Sequence, residues 1–471
     1  MCAGRVPINI LPDDVLLLIF HFDRVLYLGG RYPVEPSWRW RRLVHVCRRW
    51  RSVIFASPNF LHLTLVCGPT TRLELTGIWP PFPIVIRNTV AVAMPEDYDF
   101  DAAIVRPDRV CEISLHNLTR LQLERLASAM QEEFPALVHL KLGAIYYIRR
   151  TPLPDGFLGE SAPRLQSLEL DSIALPTLPN LLLSTTHLVR LILKSIPHSG
   201  YFSPEAIVTR LAGLVNLENL TIEFESSLSR PPWETPPPPP PTRAVLPALT
   251  RLEFRGVSEY LEEFVSRIDA PLLDSIWMTF FRQFIYEIPQ LAQFMRRTTR
   301  FEVFNEAHID LDDIGVLVAS LPPTRAFDEK SGLRILDWRI SLLTQTITSF
   351  FPSIYMVEHL YVYRPRYFPS QWQDDSENMQ WLEIFQPFTA VKKLYVSWQF
   401  AQCIAPALQK LVGERVINVL PALECLFLQD LQPSGPVREA IGRFVAARQL
   451  LGHPVAVFDW DRTRELEALF R

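Results

Sequence analysis

From about residue 60 to its end the chain repeats one arrangement of apolar and polar positions. An apolar residue is followed by two variable ones, an apolar residue, one variable and a further apolar residue, usually after a proline or a small residue. The clearest copies are FPALVHLKL (134–142), APRLQSLEL (162–170), HLVRLIL (187–193), VNLENLTI (215–222), LPALTRLEF (246–254) and LPALECLFL (420–428). Weaker copies are RVCEISL (109–115), APLLDSIWM (270–278), GLRILDW (332–338), MVEHLYV (356–362) and AVKKLYV (390–396). The leading apolar positions Val110, Leu137, Leu165, Leu188, Leu217, Leu249 and Leu273 follow at steps of 27, 28, 23, 29, 32 and 24 residues. After a gap of 60, partly filled by a degraded copy at TTRFEVF (298–304), Leu333, Val357, Val391 and Leu423 continue at 24, 34 and 32. Alternation within each copy predicts a short strand with one buried face, and the spacing leaves room for a helical or irregular return segment.

The first 60 residues follow a different rhythm. Leu11, Val15, Leu18, Ile19 and Phe22 recur at helical spacing, and Pro12, Asp13 and Asp14 form a helix start. A second helix is predicted with Leu43, Val46, Cys47, Trp50, Val53 and Ile54 on one face and Arg41, Arg48 and Arg51 roughly opposite, ended by Ser57-Pro58. Two further stretches interrupt the repeats. The proline tract at 229–243 is expected to extend as a polyproline II surface loop, and the polar segment at 364–380 to form an insertion. Near the end, Ile441, Phe444 and Val445 mark a helix within 437–453, and HPVAVFDW (453–460) a last strand before a polar tail at 461–471.

Composition narrows this picture. At 471 residues, 48% hydrophobic and 21% charged, the chain reads as a folded protein of two or more domains or a repeat array. Its 41 prolines against 17 glycines mean turns set by a fixed φ, a poor basis for a glycine-dependent nucleotide loop. The net charge of −4 excludes general nucleic-acid affinity, although residues 1–65 carry nine arginines against four acids. Six scattered cysteines fit reduced thiols, which places the chain in the cytoplasm and/or nucleus. Neither a secretory leader nor a membrane span is expected, because no apolar run approaches the roughly 20 residues a span needs.

Two resemblances carry the functional expectation. LPDDVLLLIF and LVHVCRRWRSVIFASPNFLHL resemble the F-box, the helical module that docks substrate receptors onto a Skp-type adaptor in cullin-based ubiquitin ligases. The loop at Tyr27–Ser37 is longer than that family's usual connection, and Phe60 stands where many members have Trp. The period and the L-x-x-L-x-L core resemble the leucine-rich repeat. The repeat's usual Asn or Cys is replaced by Ile173, Ile196, Val257 and Leu431, so apolar packing must hold the turns. Together they imply an α/β repeat fold of the fungal F-box and leucine-rich-repeat type. A helical module at 1–65 is followed by an irregular solenoid at 66–460 and a tail at 461–471.

The implied function is that of a non-catalytic substrate receptor. Its partners would be the Skp-type adaptor, a cullin through it, and an unidentified target protein. Adaptor contact carries over to Leu11, Pro12, Val15, Leu16 and Ile19, and to Leu43, Cys47, Trp50 and Val53. Some of these must form the module's own core, and the sequence does not divide the two sets. Outward strand positions are polar in the early copies: Glu112, Lys141, Glu169, Asp171, Lys194, Thr221, Glu223, Glu253 and Arg255. In the later copies they turn aromatic, at Trp277, Tyr361, Tyr363, Tyr395 and Phe427, and these are the expected target contacts, unless they pack on one another.

No metalloprotease, serine-hydrolase, P-loop or dinucleotide motif occurs, so no cofactor is expected. His308, Asp310, Asp312 and Asp313 have the composition of a cation site, but Asp312-Asp313 ahead of IGVLVASL reads as a helix start, and no metal is expected. The rivals are a plain leucine-rich-repeat binding scaffold and a hydrolase on an α/β fold, the latter requiring a pocket with convergent titratable groups.

Overall fold

The structure is a computed structural model. It describes residues 11–25, 43–56, 65–67, 82–88, 95–104, 106–145, 152–175, 178–226, 242–281, 289–298, 306–312, 315–321, 333–335, 357–363, 378–411, 413, 415–429 and 434–460. The chain divides into two compact units, Met1–Leu188 and Val189–Arg471.

The first unit runs α1 (Asp13–Val25), α2 (Arg48–Ala56), β1 (Leu65–Cys67), β2 (Ile84–Arg87), α3 (Phe100–Ile104), β3 (Val110–Leu118), α4 (Arg120–Ala129), β4 (His139–Ala144), β5 (Ser167–Asp171) and α5 (Leu178–Ser184). Its strands lie in chain order, and β1 through β5 pair in parallel, each with the next. The second unit runs β6 (Arg190–Ile196), α6 (Pro204–Leu211), β7 (Asn219–Phe224), β8 (Ala244–Val245), β9 (Arg251–Gly256), α7 (Ser258–Ser266), β10 (Ile268–Asp269), β11 (Ser275–Phe280), α8 (Pro289–Arg297), β12 (Glu306–Asp312), β13 (Gly315–Leu321) and β14 (Leu333–Ile335). It continues with β15 (His359–Tyr363), α9 (Asn378–Phe385), β16 (Lys393–Val396), α10 (Trp398–Gln409), α11 (Arg415–Asn418), β17 (Cys425–Gln429), α12 (Pro436–Leu450) and β18 (Ala456–Trp460). Here β6, β7, β9 and β11 pair in parallel, as do β12, β15, β16, β17 and β18, while β8 and β10 form a small separate ribbon. The class is therefore α/β, with mostly parallel strands and intervening helices.

Several strands begin from the same local device. The amide of the leading apolar residue donates to the carbonyl three residues earlier: Leu137 to Phe134, Leu165 to Ala162, Leu217 to Leu214, Leu249 to Leu246, Leu273 to Ala270 and Leu423 to Leu420. In five of these turns the second residue is proline (Pro135, Pro163, Pro247, Pro271 and Pro421), whose fixed φ suits that position. The leading residues Val110, Leu137, Leu165, Leu188, Leu217, Leu249, Leu273 and Val391 are all fully buried. Parallel strands require a crossover between them, and a turn closed by its own hydrogen bond starts each new one in register.

The far ends of the strands explain how apolar packing replaces an asparagine ladder. Asn117, Ser172 and Ser195 adopt positive φ (54°, 61° and 49°), and the next residue, Leu118, Ile173 or Ile196, turns into the core at 4% exposure or less. Small polar side chains tolerate this left-handed conformation better than other L-residues do. Val257 is half-buried. Gly256 meets a different need: a Cβ there would lie 2.6 Å from Phe254 Cζ and 3.0 Å from Phe224 Cδ2.

One stretch departs from expectation. Asp312 ends a strand, and Gly315–Leu321 of IGVLVASL form β13, which pairs antiparallel with β12 from Glu306↔Leu321 to Asp312↔Gly315. The β-branched and apolar content of 315–321 favours this pleated pairing over the helix its acidic start suggested. The strand of the GLRILDW copy, β14, likewise pairs antiparallel with β13. The Tyr27–Ser37 loop, Ser57-Pro58, Phe60, Leu431, most of the proline tract, residues 364–377 of the insertion, the degraded copy from Thr299 on and the tail at 461–471 lie outside the described residues. Asn378–Gln380, counted within the insertion, open α9.

Candidate functional site

Two surfaces hold the residues singled out by the sequence. The first is the helical pair of the first unit. Its core is Leu16, Phe20, Val44, Val53, Ile54 and Phe82, with Leu11, Leu17, Leu43, Trp50 and Phe55 packed partly against it. Phe82 lies two residues before β2, so the pair is rooted on the first strands. The rings of Phe20 and Trp50 lie 4.8 Å apart, and those of Phe55 and Phe82 5.7 Å apart.

The predicted stripe on α1 is therefore rotated. Leu16 and Phe20 point in, whereas Leu18 and Ile19 are 48% and 40% exposed. Residues 15–20 are apolar without a break, so periodicity alone selects no face. In the second element α2 starts only at Arg48. Cys47 sits just before it, its Sγ accepting the Trp50 amide at 3.4 Å and its carbonyl the Arg51 amide. Val46 falls in the preceding turn, 59% exposed, and Val44 takes the core position instead. Among the residues nominated for adaptor contact, Leu16 and Val53 thus belong to the core, Pro12 and Ile19 face water, and Val15, Cys47, Leu11, Leu43 and Trp50 are intermediate. Arg49 joins the two sequence marks: its guanidinium donates to Asp13 Oδ1 at 3.0 and 2.6 Å and to the Leu11 carbonyl at 2.6 Å. Both side chains are well exposed, so the pair fixes geometry more than it stabilises.

The second surface is the outward face of β15–β18. Tyr361, Tyr395, Phe427 and Phe458 stand directly opposite one another across four parallel strands. Their rings stack in succession at centroid distances of 4.2, 4.4 and 5.1 Å with interplanar angles of 8°, 11° and 21°. Trp460 lies edge-on to Tyr395 at 5.5 Å and tilted to Tyr361 at 6.2 Å. In-register parallel pairing sets the strands about 4.8 Å apart, close to the spacing of stacked rings. The consequence differs from expectation at one residue. Tyr395 is 6% exposed, since neighbouring rings cover both its faces and Trp460 its edge, whereas Phe458 at the end of the row is 45% exposed. Tyr363 lies in β15 with its main chain opposite Asp310. Trp277 is half-buried in β11, in a different strand group, opposite Glu253. The structure thus brings together Tyr361, Tyr395 and Phe427, adds Phe458 and Trp460, and leaves Trp277 apart. Aromatic alternation in HPVAVFDW was the available signal for the last two.

Several polar outward residues of earlier strands are paired with neighbours. Arg87 makes a two-pronged bond to Glu112 at 2.8 and 2.7 Å, Lys141 meets Glu169 at 2.7 Å, and Glu253 accepts from Arg251 and from Thr221. Beside Lys141, burial and that cation lower the pKa of His116.

Buried titratable groups gather on α7. Glu263 and Arg267 pair at 3.1 Å within the interior, and burial raises the Tyr260 phenol well above its ordinary range. The Glu262 carboxylate caps α8 from outside, accepting the amides of Gln290 and Leu291 at 2.8 Å each. Burial pushes its pKa up from 4.5 to about 7, against the lowering effect of those two bonds. A raised acid pKa means the folded chain holds a proton the unfolded chain has released. Its stability contribution is complete below pH 4.5 and is lost as pH rises through about 7. Glu262→Gln should therefore gain on the native chain as pH rises across that window, and denaturant midpoints at pH 4.5, 6 and 8 check it. A constant difference between the two chains would refute the assignment.

Among the described residues, no group of three or more His, Cys, Asp or Glu side chains could hold a metal ion, and no helix is long and apolar enough to cross a membrane. Cys47, Cys111, Cys403 and Cys425 are not in disulfides. No protein-family model matches the chain, and no curated protein matches it. Among solved structures, a leucine-rich repeat-containing protein, LegL7 from Legionella pneumophila, aligns over 81% of this chain and 97% of its own, at 12% identity and a TM-score of 0.28. At that identity and score it adds nothing to what the strands themselves display.

Proposed function

We propose that the chain is a substrate receptor of a cullin-based ubiquitin ligase, built on leucine-rich-type repeats and performing no covalent chemistry itself. The helical pair docks on a Skp-type adaptor, the outward face of β15–β18 holds a target protein, and ubiquitin transfer is promoted by proximity. The complex acts in the cytoplasm and/or nucleus. The observation that supports the docking half is the exposure of Leu18, Ile19 and Val46 on a module whose core is filled by other residues. Large apolar side chains in water beside a closed core mark a surface that gains by being covered. Adaptor contact then falls to Pro12, Val15, Leu18, Ile19, Val46 and Cys47, while Leu16 and Val53 act by holding the module together.

The test is capture of purified Skp-type adaptor by the full chain. Leu18→Asp with Ile19→Asp should abolish capture while leaving the melting temperature unchanged, because both side chains already lie in water. Failure of the native chain to capture the adaptor would overturn the receptor reading and favour the binding scaffold.

A further inference from the structure

The second unit contains a cavity of about 380 Å³ between α10, the end of β17 and the start of α12. That volume lies within the roughly 300–1,000 Å³ common for small-ligand sites. Its apolar wall comes from Trp398, Ala401, Pro406, Leu428, Val437 and Ala440, and the lining along α10 runs from Trp398 to Gln409. Those positions span about 16 Å of helix, so the space accepts an elongated chain. Trp398 is 45% exposed, an indole left partly in water at the edge of this space.

Among the described residues, the charge lining the cavity is of one sign. Arg438 is its single charged lining residue, and no carboxylate faces it among the described residues. Arg438 occupies the first turn of α12, where a cation opposes the positive end of the helix dipole, and it has no ion pair among the described residues. The same turn lacks a side-chain cap. Gly435, at φ 134°, precedes it, Pro436 has no N–H, and the amides of Val437 and Arg438 also face this end. The exposed Arg438 guanidinium and the two uncapped amides form a group of donors at one end of the cavity that an anion can accept from. An apolar cavity extending from that point adds a requirement for hydrocarbon.

We infer that this cavity binds a small carboxylate with an apolar tail, the carboxylate at Arg438 and the start of α12, the tail along Trp398, Ala401 and Leu428. The cavity opens at the end of β17, where Gln429 stands opposite Trp460, and its assignment does not depend on the ligase reading.

The probe is decanoate, titrated into the full chain below its micelle concentration and followed by tryptophan fluorescence, with decanol as the uncharged counterpart. Saturable quenching is expected in the native chain and is lost in Trp398→Phe. Arg438→Gln, an exposed substitution, should weaken decanoate at least tenfold and leave decanol unchanged. Absence of saturable binding, or decanoate and decanol binding alike to native and Arg438→Gln chains, would overturn the assignment.

Discussion

Replacing Arg448 with methionine is expected to destabilise the second unit by about 3–5 kcal/mol, the range for removing one partner of a buried charged network. Arg448 is fully buried in α12, yet no carboxylate meets it among its hydrogen-bond partners. Its guanidinium instead donates to main-chain carbonyls: Val416 at 3.1 Å, Val419 at 3.3 Å, Leu420 and Pro421 at 3.2 Å, His453 at 3.4 Å and Leu423 at 3.5 Å. Phe444 lies beneath it at 5.8 Å. The segment it gathers leads from α11 into β17 and includes Leu420 at φ 51°, a left-handed conformation that a branched side chain resists. Without the guanidinium, several buried carbonyls lose their donor at once, and each exacts its own desolvation cost. Lysine should recover only a small part, having three donors on a point charge where arginine has five in a fork. Chemical denaturation of the three chains, with amide exchange over 415–429, checks this. A methionine variant within 1 kcal/mol of native would show that the carbonyls find other donors.

The second large effect is expected at Tyr395. Tyr395→Ala should cost about 3 kcal/mol, as for truncating a buried aromatic residue, and Tyr395→Phe well under 1. Alanine opens a gap between the rings of Tyr361 and Phe427, which the strand backbones hold apart and which cannot close by rotation. Phenylalanine keeps the stack, and denaturant midpoints separate the two. Equal stability of the alanine and native chains would mean the row is not a packing unit. The effect bears on any test of the proposed target contact, because loss of capture in Tyr395→Ala would report unfolding. Phe458, half in water at the end of the row, is where recognition can be examined without that confusion.

These residues also show what the sequence could convey. The leading position of each copy was legible, because burying one side chain per strand imposes a repeating apolar residue, and those positions are nearly all buried. The proline-led turns were legible for the same reason. Arg448 was not: an arginine in a helix reads as surface, and its partners are main-chain carbonyls that leave no trace in residue type. The burial of Tyr395 was hidden because alternation assigns it outward, correctly, while register alone determines that three neighbours cover it. At Leu16–Phe20 the pattern was too uniformly apolar to orient the helix. At Gly315–Leu321 an acidic start favoured a helix, and pairing with β12 prevailed.

The turn that opens many of the strands has a consequence for how this chain can change length. Because the turn closes on itself, a strand's register does not depend on the number of residues in the segment before it. Lengthening that segment carries a loop-closure cost that grows only logarithmically, about 0.6 kcal/mol per doubling. Steps of 23 to 32 between leading residues that carry this turn are therefore compatible with the same buried row. Insertions and deletions can accumulate in the return segments while the strand faces keep their places, so the fold conserves its inner row and leaves its connections open to variation.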